Sequence, residues 1–333
     1  MKKLHVLLAV FAFLGLSAPA VATTSFAEDP EVTAFIAEMS EKHGFEASWL
    51  ATRFARLRPN ESVLRAIKPP AVPELQRSWE RYRARFLNER RIAAGVRFWQ
   101  QHEATLKRAS ATYGVPEEVI VSIIGVETEY GQNTGRFSVM QALSTLAFRY
   151  PPRAPFFRGE LEQFLLLARE NDFDPLVLKG SYAGAIGIPQ FMPGSQRRYA
   201  VDFDGDGKVD LTRSATDAIG SVASFLAQHG WEQGGAVAIP TRMEGDPTPL
   251  LALGIKPDKP LSELVAGGVR PEGTDVDASK PAALIDLVTP DQETEYWAGF
   301  QNFYVITRYN RSSFYAMSVF QLAEAIRERK PTL

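Results

Sequence analysis

The chain is 333 residues long, 45% hydrophobic and 23% charged, with a formal net charge of -2 and no cysteine. This composition excludes a disordered or low-complexity chain, a disulfide framework and a thiol-borne lipid anchor. Acidic and basic residues are interspersed, so nucleic acid is not an expected partner, and a near-neutral protein suits a neutral polymer.

Residues 1 to 22, MKKLHVLLAVFAFLGLSAPAVA, combine a basic start, an apolar run from Val6 to about Leu16 and the small-x-small pattern Ala20-Val21-Ala22 of a signal peptidase site. The expectation is an exported protein, and losing Lys2 and Lys3 with this leader would take its formal charge from -2 to -4. An uncleaved membrane anchor is the alternative, but the run is shorter than the roughly 20 residues that span a bilayer.

From Glu31 to about Gly230 the apolar residues recur at helical spacing, predicting helices near 31–43, 47–57, 78–108, 116–128, 138–149, 157–171 and 214–229. The paired prolines Pro69-Pro70 and Pro151-Pro152 mark breaks, because proline cannot continue a helix. After Trp231 the texture changes to glycine and proline punctuation with short alternating runs, Val237 to Met243, Ala283 to Val288 and then Asn302 to Arg308. Residues 235–306 therefore read as a small mixed β insert, and helix returns at about Ser313 to Arg327, with Phe314, Met317, Val319, Leu322 and Ile326 as its apolar positions. The fold class is α+β, mainly helical.

Pro116 suits the first position of a helix, and Glu117 and Glu118 favour its positive end. At about 100° per residue, Glu127 falls on one stripe with Ile120, Ile123 and Ile124, while Glu118 and Glu129 fall on the opposite face, expected to see solvent. A carboxyl centred on an apolar stripe either finds a cation, Arg136 or Arg153 here, or raises its pKa and keeps a proton at neutral pH. The second outcome makes a general acid. The helix stops near Gly131 in GVETEYG (125–131). About fifty residues on, KGSYAGAIGIPQFMP (179–193) supplies tight turns at Gly180, Gly184 and Gly187 and hydrogen-bonding groups at Ser181 and Gln190. That order of elements resembles goose-type lysozymes and lytic transglycosylases.

Taken with YPPRAPFFRGELEQFLLLARE, VDFDGDGKVDL and FYVITRYNRSSFYAM, these motifs are similar to the membrane-bound lytic transglycosylase B family across about residues 31 to 328. The resemblance implies a helical N-terminal part over 31–110, a lysozyme-like catalytic core over 111–234 and a C-terminal segment and helix over 307–328. It puts the single catalytic glutamate on Glu127 and substrate contacts on Tyr82, Arg153, Ser181, Gln190, Tyr309, Asn310 and Tyr315, a mixture that suits sugars. For each tyrosine, core packing is the alternative. Pro152 stands where relatives often have a second arginine. The implied activity is a periplasmic cut between N-acetylmuramic acid and N-acetylglucosamine of peptidoglycan that leaves a 1,6-anhydro end, without an organic cofactor and with cell-wall synthases as candidate partners. A muramidase that uses water and a non-catalytic glycan-binding scaffold are the competing readings.

Asp202, Asp204 and Asp206 alternate through DFDGDGKVDL with Gly207 at the sharp turn, the pattern of an EF-hand-like Ca2+ loop, in which the Lys208 carbonyl would be a further ligand. The twelfth position is Arg213 rather than glutamate. The resemblance implies that Asp217 supplies the closing acid in a longer loop, 202–217, with a structural role for the ion. A solvated acidic turn capping the next helix is the alternative.

Overall fold

The structure, a computed structural model, describes residues 25–69, 78–273 and 277–330. The leader read at 1–22 lies outside the described residues. Among those described, no helix is long and apolar enough to cross a membrane.

The chain divides into two compact units, 1–59 and 60–333. In the first, α1 (Pro30–His43) and α2 (Ala47–Ala55) close over Phe26, Val32, Phe35, Met39, Leu50 and Phe54, all fully buried. Asp29 caps α1, accepting the Glu31 amide at 2.9 Å, and Gly44 ends it in the left-handed region.

The second unit starts with α3 (Glu61–Ile67), α4 (Trp79–Ala84), α5 (Glu89–Gln101), α6 (Glu103–Tyr113) and α7 (Glu117–Thr128). The single helix expected over 78–108 is thus three. Asn88 restarts the chain by accepting the Arg91 amide at 3.0 Å, and His102 breaks helical geometry between α5 and α6. Pro116 is the residue before α7 rather than its first.

A short antiparallel pair, β1 (Phe137–Ser138) with β2 (Lys179–Gly180), brackets α8 (Val139–Arg149) and α9 (Ala154–Glu170). Then come α10 (Pro193–Tyr199) and α11 (Ala215–Gln228). The helical body buries α7 on every side. Each residue from Val119 to Val126 is buried, and α5, α6, α11 and the last helix, α15 (Ser313–Arg329), all touch it. The apolar stripe inferred from the sequence therefore understates the burial: EEVIVSIIGVET is apolar all round, as a central helix must be. Each buried Ile or Val contributes roughly 1.5–3 kcal/mol. Its buried Ser122 donates to the Val319 carbonyl of α15 at 2.5 Å.

Between α11 and α15 lies an antiparallel sheet in the order β4-β6-β7-β3-β5, made of β3 (Ala238–Met243), β4 (Lys259–Pro260), β5 (Val269–Pro271), β6 (Pro281–Leu287) and β7 (Glu295–Gly299). Short helices α12 (Thr248–Leu251) and α13 (Leu261–Ala266) accompany it. Along β6 the side chains alternate. Ala283, Ile285 and Leu287 join the main core, whereas Ala282 and Leu284 join a smaller cluster with Leu261 and Leu264 of α13. The run Asn302 to Arg308, read as alternating, is instead helical, α14 (Gln301–Tyr309): its buried residues Asn302, Phe303, Val305 and Ile306 repeat at three and four rather than two.

Candidate active site

Glu127 is the penultimate residue of α7. Part of its side chain stays accessible, while the protein packed round the carboxyl penalises its charged form and pushes its pKa up to about 7, opposed by one hydrogen bond from Tyr315. That bond runs from the Tyr315 hydroxyl to Oε1 at 2.6 Å. Of the two fates left open by the sequence, ion pairing and a raised pKa, no cation pairs with Glu127 among the described residues, and burial acts in the direction of the second.

Two further tyrosines belong to this surround. Tyr309, at the end of α14, stacks on Tyr315 with ring centres 6.4 Å apart and donates to the Pro189 carbonyl at 2.5 Å. A negative charge on Glu127 opposes ionisation of Tyr82, Tyr309 and Tyr315, and burial raises the pKa of all three. They are neutral hydroxyls at any working pH. Tyr82 is brought in by α4, whose start is tied to the end of the sheet. The Trp79 amide donates to the Val288 carbonyl at 2.8 Å, the Glu80 amide to Thr289 at 3.2 Å, and Gln292 to Glu80 at 3.0 Å. The rings of Trp79 and Tyr82 both lie on Phe314, next to Tyr315, at 5.5 and 5.7 Å.

Gln190 has a left-handed backbone (φ 52°) and spends both amide hydrogens on the chain, donating to the Thr134 and Gly187 carbonyls at 3.1 and 2.8 Å, so its carbonyl oxygen is left to accept. Gly187 is obligatory in this turn: φ is 72°, and a Cβ would meet the Leu211 carbonyl oxygen at 2.3 Å. Ser181 accepts the Ala183 and Ala185 amides at 3.2 and 3.0 Å, keeping its own hydrogen to donate. Arg153 lies over the Phe156 and Phe157 rings at 4.7 and 5.0 Å, and Asn310 ends α14 as an exposed residue. Neither forms a bond to Glu127.

The turn after Glu127 was not legible as part of the site. Glu129, Tyr130 and Gly131 all have positive φ, at 50°, 63° and 85°. For the two non-glycine residues this costs roughly 1–2 kcal/mol each. Glu129, expected on a solvent face, is paired with Arg91 at 3.1 Å and with Arg90. Thr128 donates to the Ile188 carbonyl at 2.8 Å and accepts the Gly131 amide at 3.0 Å, fastening this turn to the glycine turn.

Where the loop before α11 meets the first turn of that helix, carboxylate oxygens of Asp202, Asp204 and Asp217 lie within 4.8 Å of one another. Asp217 is buried and accepts the Phe203, Asp204 and Asp210 amides at 2.8, 3.3 and 2.8 Å. Asp206 is outside that trio, its carboxylate accepting the Lys208 amide at 2.9 Å, and Arg213 pairs with Asp210 at 2.8 Å.

A mainly helical body with an attached sheet and a helix-end carboxyl that accepts from Tyr315, the next residue Thr128 being tied to the glycine turn, defines the class of lysozyme-like proteins. Residues 27–324 match the family described as Transglycosylase SLT domain. Over 311 residues the chain is 44% identical to the membrane-bound lytic murein transglycosylase B of Escherichia coli (strain K12), covering 90% of this chain and 84% of that protein. It also superposes on soluble lytic transglycosylase SltB1 from Pseudomonas aeruginosa with a TM-score of 0.84 and 48% identity, covering 91% of this chain and 100% of that one. For Escherichia coli lytic transglycosylase Slt35 in complex with calcium, the TM-score is 0.81 at 42% identity, with 92% and 95% covered. The chain belongs to the SLT transglycosylase family, a family of enzymes.

Proposed function

We propose that this chain is a lytic murein transglycosylase in which Glu127 does the acid and base chemistry alone. The observation that carries this reading is a carboxyl poised at about 7, with no neighbouring carboxylate bearing on its titration among the described residues. Ordinary glycosidases use a pair of carboxyls. Glu127 first gives its proton to the oxygen joining N-acetylmuramic acid to N-acetylglucosamine, and that bond breaks. The Glu127 carboxylate then takes the proton of the C6 hydroxyl of the same muramoyl residue, whose oxygen bonds to C1 and closes the 1,6-anhydro ring. Tyr315 supports the carboxylate between the two steps, and Tyr82, Arg153, Ser181, Gln190, Tyr309 and Asn310 hold the sugars. We assign this chemistry to residues 111–234, with 31–110 as a helical N-terminal part, 235–306 as an accessory part and 307–328 as the C-terminal segment and helix.

Mass spectrometry of digested sacculi tests the reading. Products one water lighter than reducing ends are expected, together with their loss in Glu127→Gln; reducing ends instead would make the enzyme a muramidase, and unchanged release by Glu127→Gln would remove Glu127 as the catalyst. The apolar run read as a leader and a murein substrate support a periplasmic location, where wall synthases are candidate partners. The loop 202–217 is read as an EF-hand-like Ca2+ site. Three hard oxygen donors of like charge, with Gly205 and Gly207 in left-handed geometry between them, suit that ion. Ca2+ there would offset two of the three negative charges of Asp202, Asp204 and Asp217 and fasten the loop to α11.

A further inference from the structure

The turn that follows Glu127 is held from another helix. Arg91, on α5, has only 11% of its side chain exposed. One arm of its guanidinium donates to the Gly125 carbonyl and the other to Glu129 Oε1 at 3.1 Å, while Arg90 takes the second Glu129 oxygen. Tyr130 returns the contact, its hydroxyl donating to the Arg91 carbonyl at 2.9 Å. Its phenol fits between two glycines: a Cβ added at Gly95 or Gly125 would lie 2.6 Å from the hydroxyl oxygen. Gly125 and Glu129 stand two residues before and two after Glu127, so the guanidinium spans the last turn of α7 across the residue that carries the chemistry.

We propose that Arg91 is a positioning residue of this active site, its forked bridge between Gly125 and Glu129 fixing the strained end of α7 so that Glu127 meets Tyr315 and the glycosidic oxygen. The inference rests on Glu127 being the catalytic acid. Arg91 acts by geometry and not by charge: its cation is paired with Glu129, which it shares with Arg90, and is not among the groups that move the titration of Glu127. The fork matters because only a planar guanidinium reaches two fixed acceptors at once, which a lysine ammonium does as a single point.

Arg91→Lys, Glu129→Gln, their double variant and Glu127→Gln, each assayed well below its melting temperature on soluble glycan strands, make the test. Arg91→Lys is expected to lower kcat by about tenfold or more while KM changes by less than about twofold, as for loss of alignment rather than of binding. The alkaline fall of activity moves to higher pH, because the Tyr315 bond that favours the Glu127 carboxylate is loosened. Glu129→Gln shifts both in the same direction, and the double variant is no worse than Arg91→Lys alone. With Glu127→Gln inactive, a kcat for Arg91→Lys within about twofold of the parent, or a lower kcat with an unmoved alkaline limb, overturns the positioning role. An active Glu127→Gln overturns instead the reading on which it rests.

Discussion

Glu127→Gln separates the electrostatics of the site from its catalysis, because it removes the titration while keeping the shape and an acceptor for Tyr315. A carboxyl raised from 4.5 to about 7 by burial binds more protons folded than unfolded across that interval. Stability therefore falls as pH rises through it: the penalty is absent below about 4.5 and complete above about 7. Each unit corresponds to about 1.4 kcal/mol, so about 2.5 units set an upper bound of about 3 kcal/mol at pH 8. Glu127→Gln should accordingly match the parent near pH 4.5 and exceed its stability at pH 8 by up to about 3 kcal/mol, while losing activity at both. Urea unfolding at the two pH values, with constant salt and free Ca2+, reads the difference directly. An equal effect of the substitution at both would show that Glu127 does not titrate abnormally, and the general-acid argument would lose its physical basis.

Three further outcomes follow from the same geometry. Activity should decline above about pH 7 as Glu127 loses its proton, and Tyr315→Phe should push that decline upward by roughly one pH unit, since a lost hydrogen bond to a carboxylate of about 1.5 kcal/mol favours the protonated form; a decline moving to lower pH would contradict the assignment. Gly187→Ala should lower unfolding free energy by about 2 kcal/mol or more, because both the left-handed backbone and the Leu211 carbonyl oppose a Cβ, and a melting temperature unchanged by the substitution would contradict that. Adding Ca2+ to metal-stripped protein should raise its melting temperature by several degrees, as binding at a hundredfold excess over Kd stabilises by about 2.7 kcal/mol, and Asp217→Asn should abolish the rise; no rise in the parent would refute the site.

What the sequence disclosed follows the range of the interactions involved. The position of Glu127 was legible because a lone acid among Ile120, Ile123 and Ile124 conflicts with burial, and burial is written in composition. The short sheet strands at 238–243 and 281–287 announced themselves by alternation, although Asn302 to Arg308 did not, since Phe303, Val305 and Thr307 satisfy period two by accident while the packed face follows three and four. Breaks within 78–108 depend on single capping residues such as Asn88, which helical periodicity does not register. Least visible was the Arg91 bridge. Its partners are 34 and 38 residues away, and nothing in the local pattern of GVETEYG says that Glu129 faces a cation and not water.

The surround of Glu127 also bears on why hydroxyls and not a second acid stand beside it. A carboxyl that must first give and then accept a proton works best with a pKa near the operating pH, since either extreme slows one of the two steps. A carboxylate neighbour would raise the pKa further by repulsion and would compete for the proton; an arginine would pull it down and leave no acid. Tyr315 does neither. Its hydroxyl lowers the pKa only partway against desolvation, and burial together with the charge of Glu127 keeps its own proton in place. On this reading the stacked pair Tyr309 and Tyr315 sets the carboxyl between its two tasks, and replacing Tyr315 by an acid should destroy turnover more completely than replacing it by phenylalanine. Comparable kcat values for Tyr315→Phe and Tyr315→Glu would show that the hydroxyl is there only for packing.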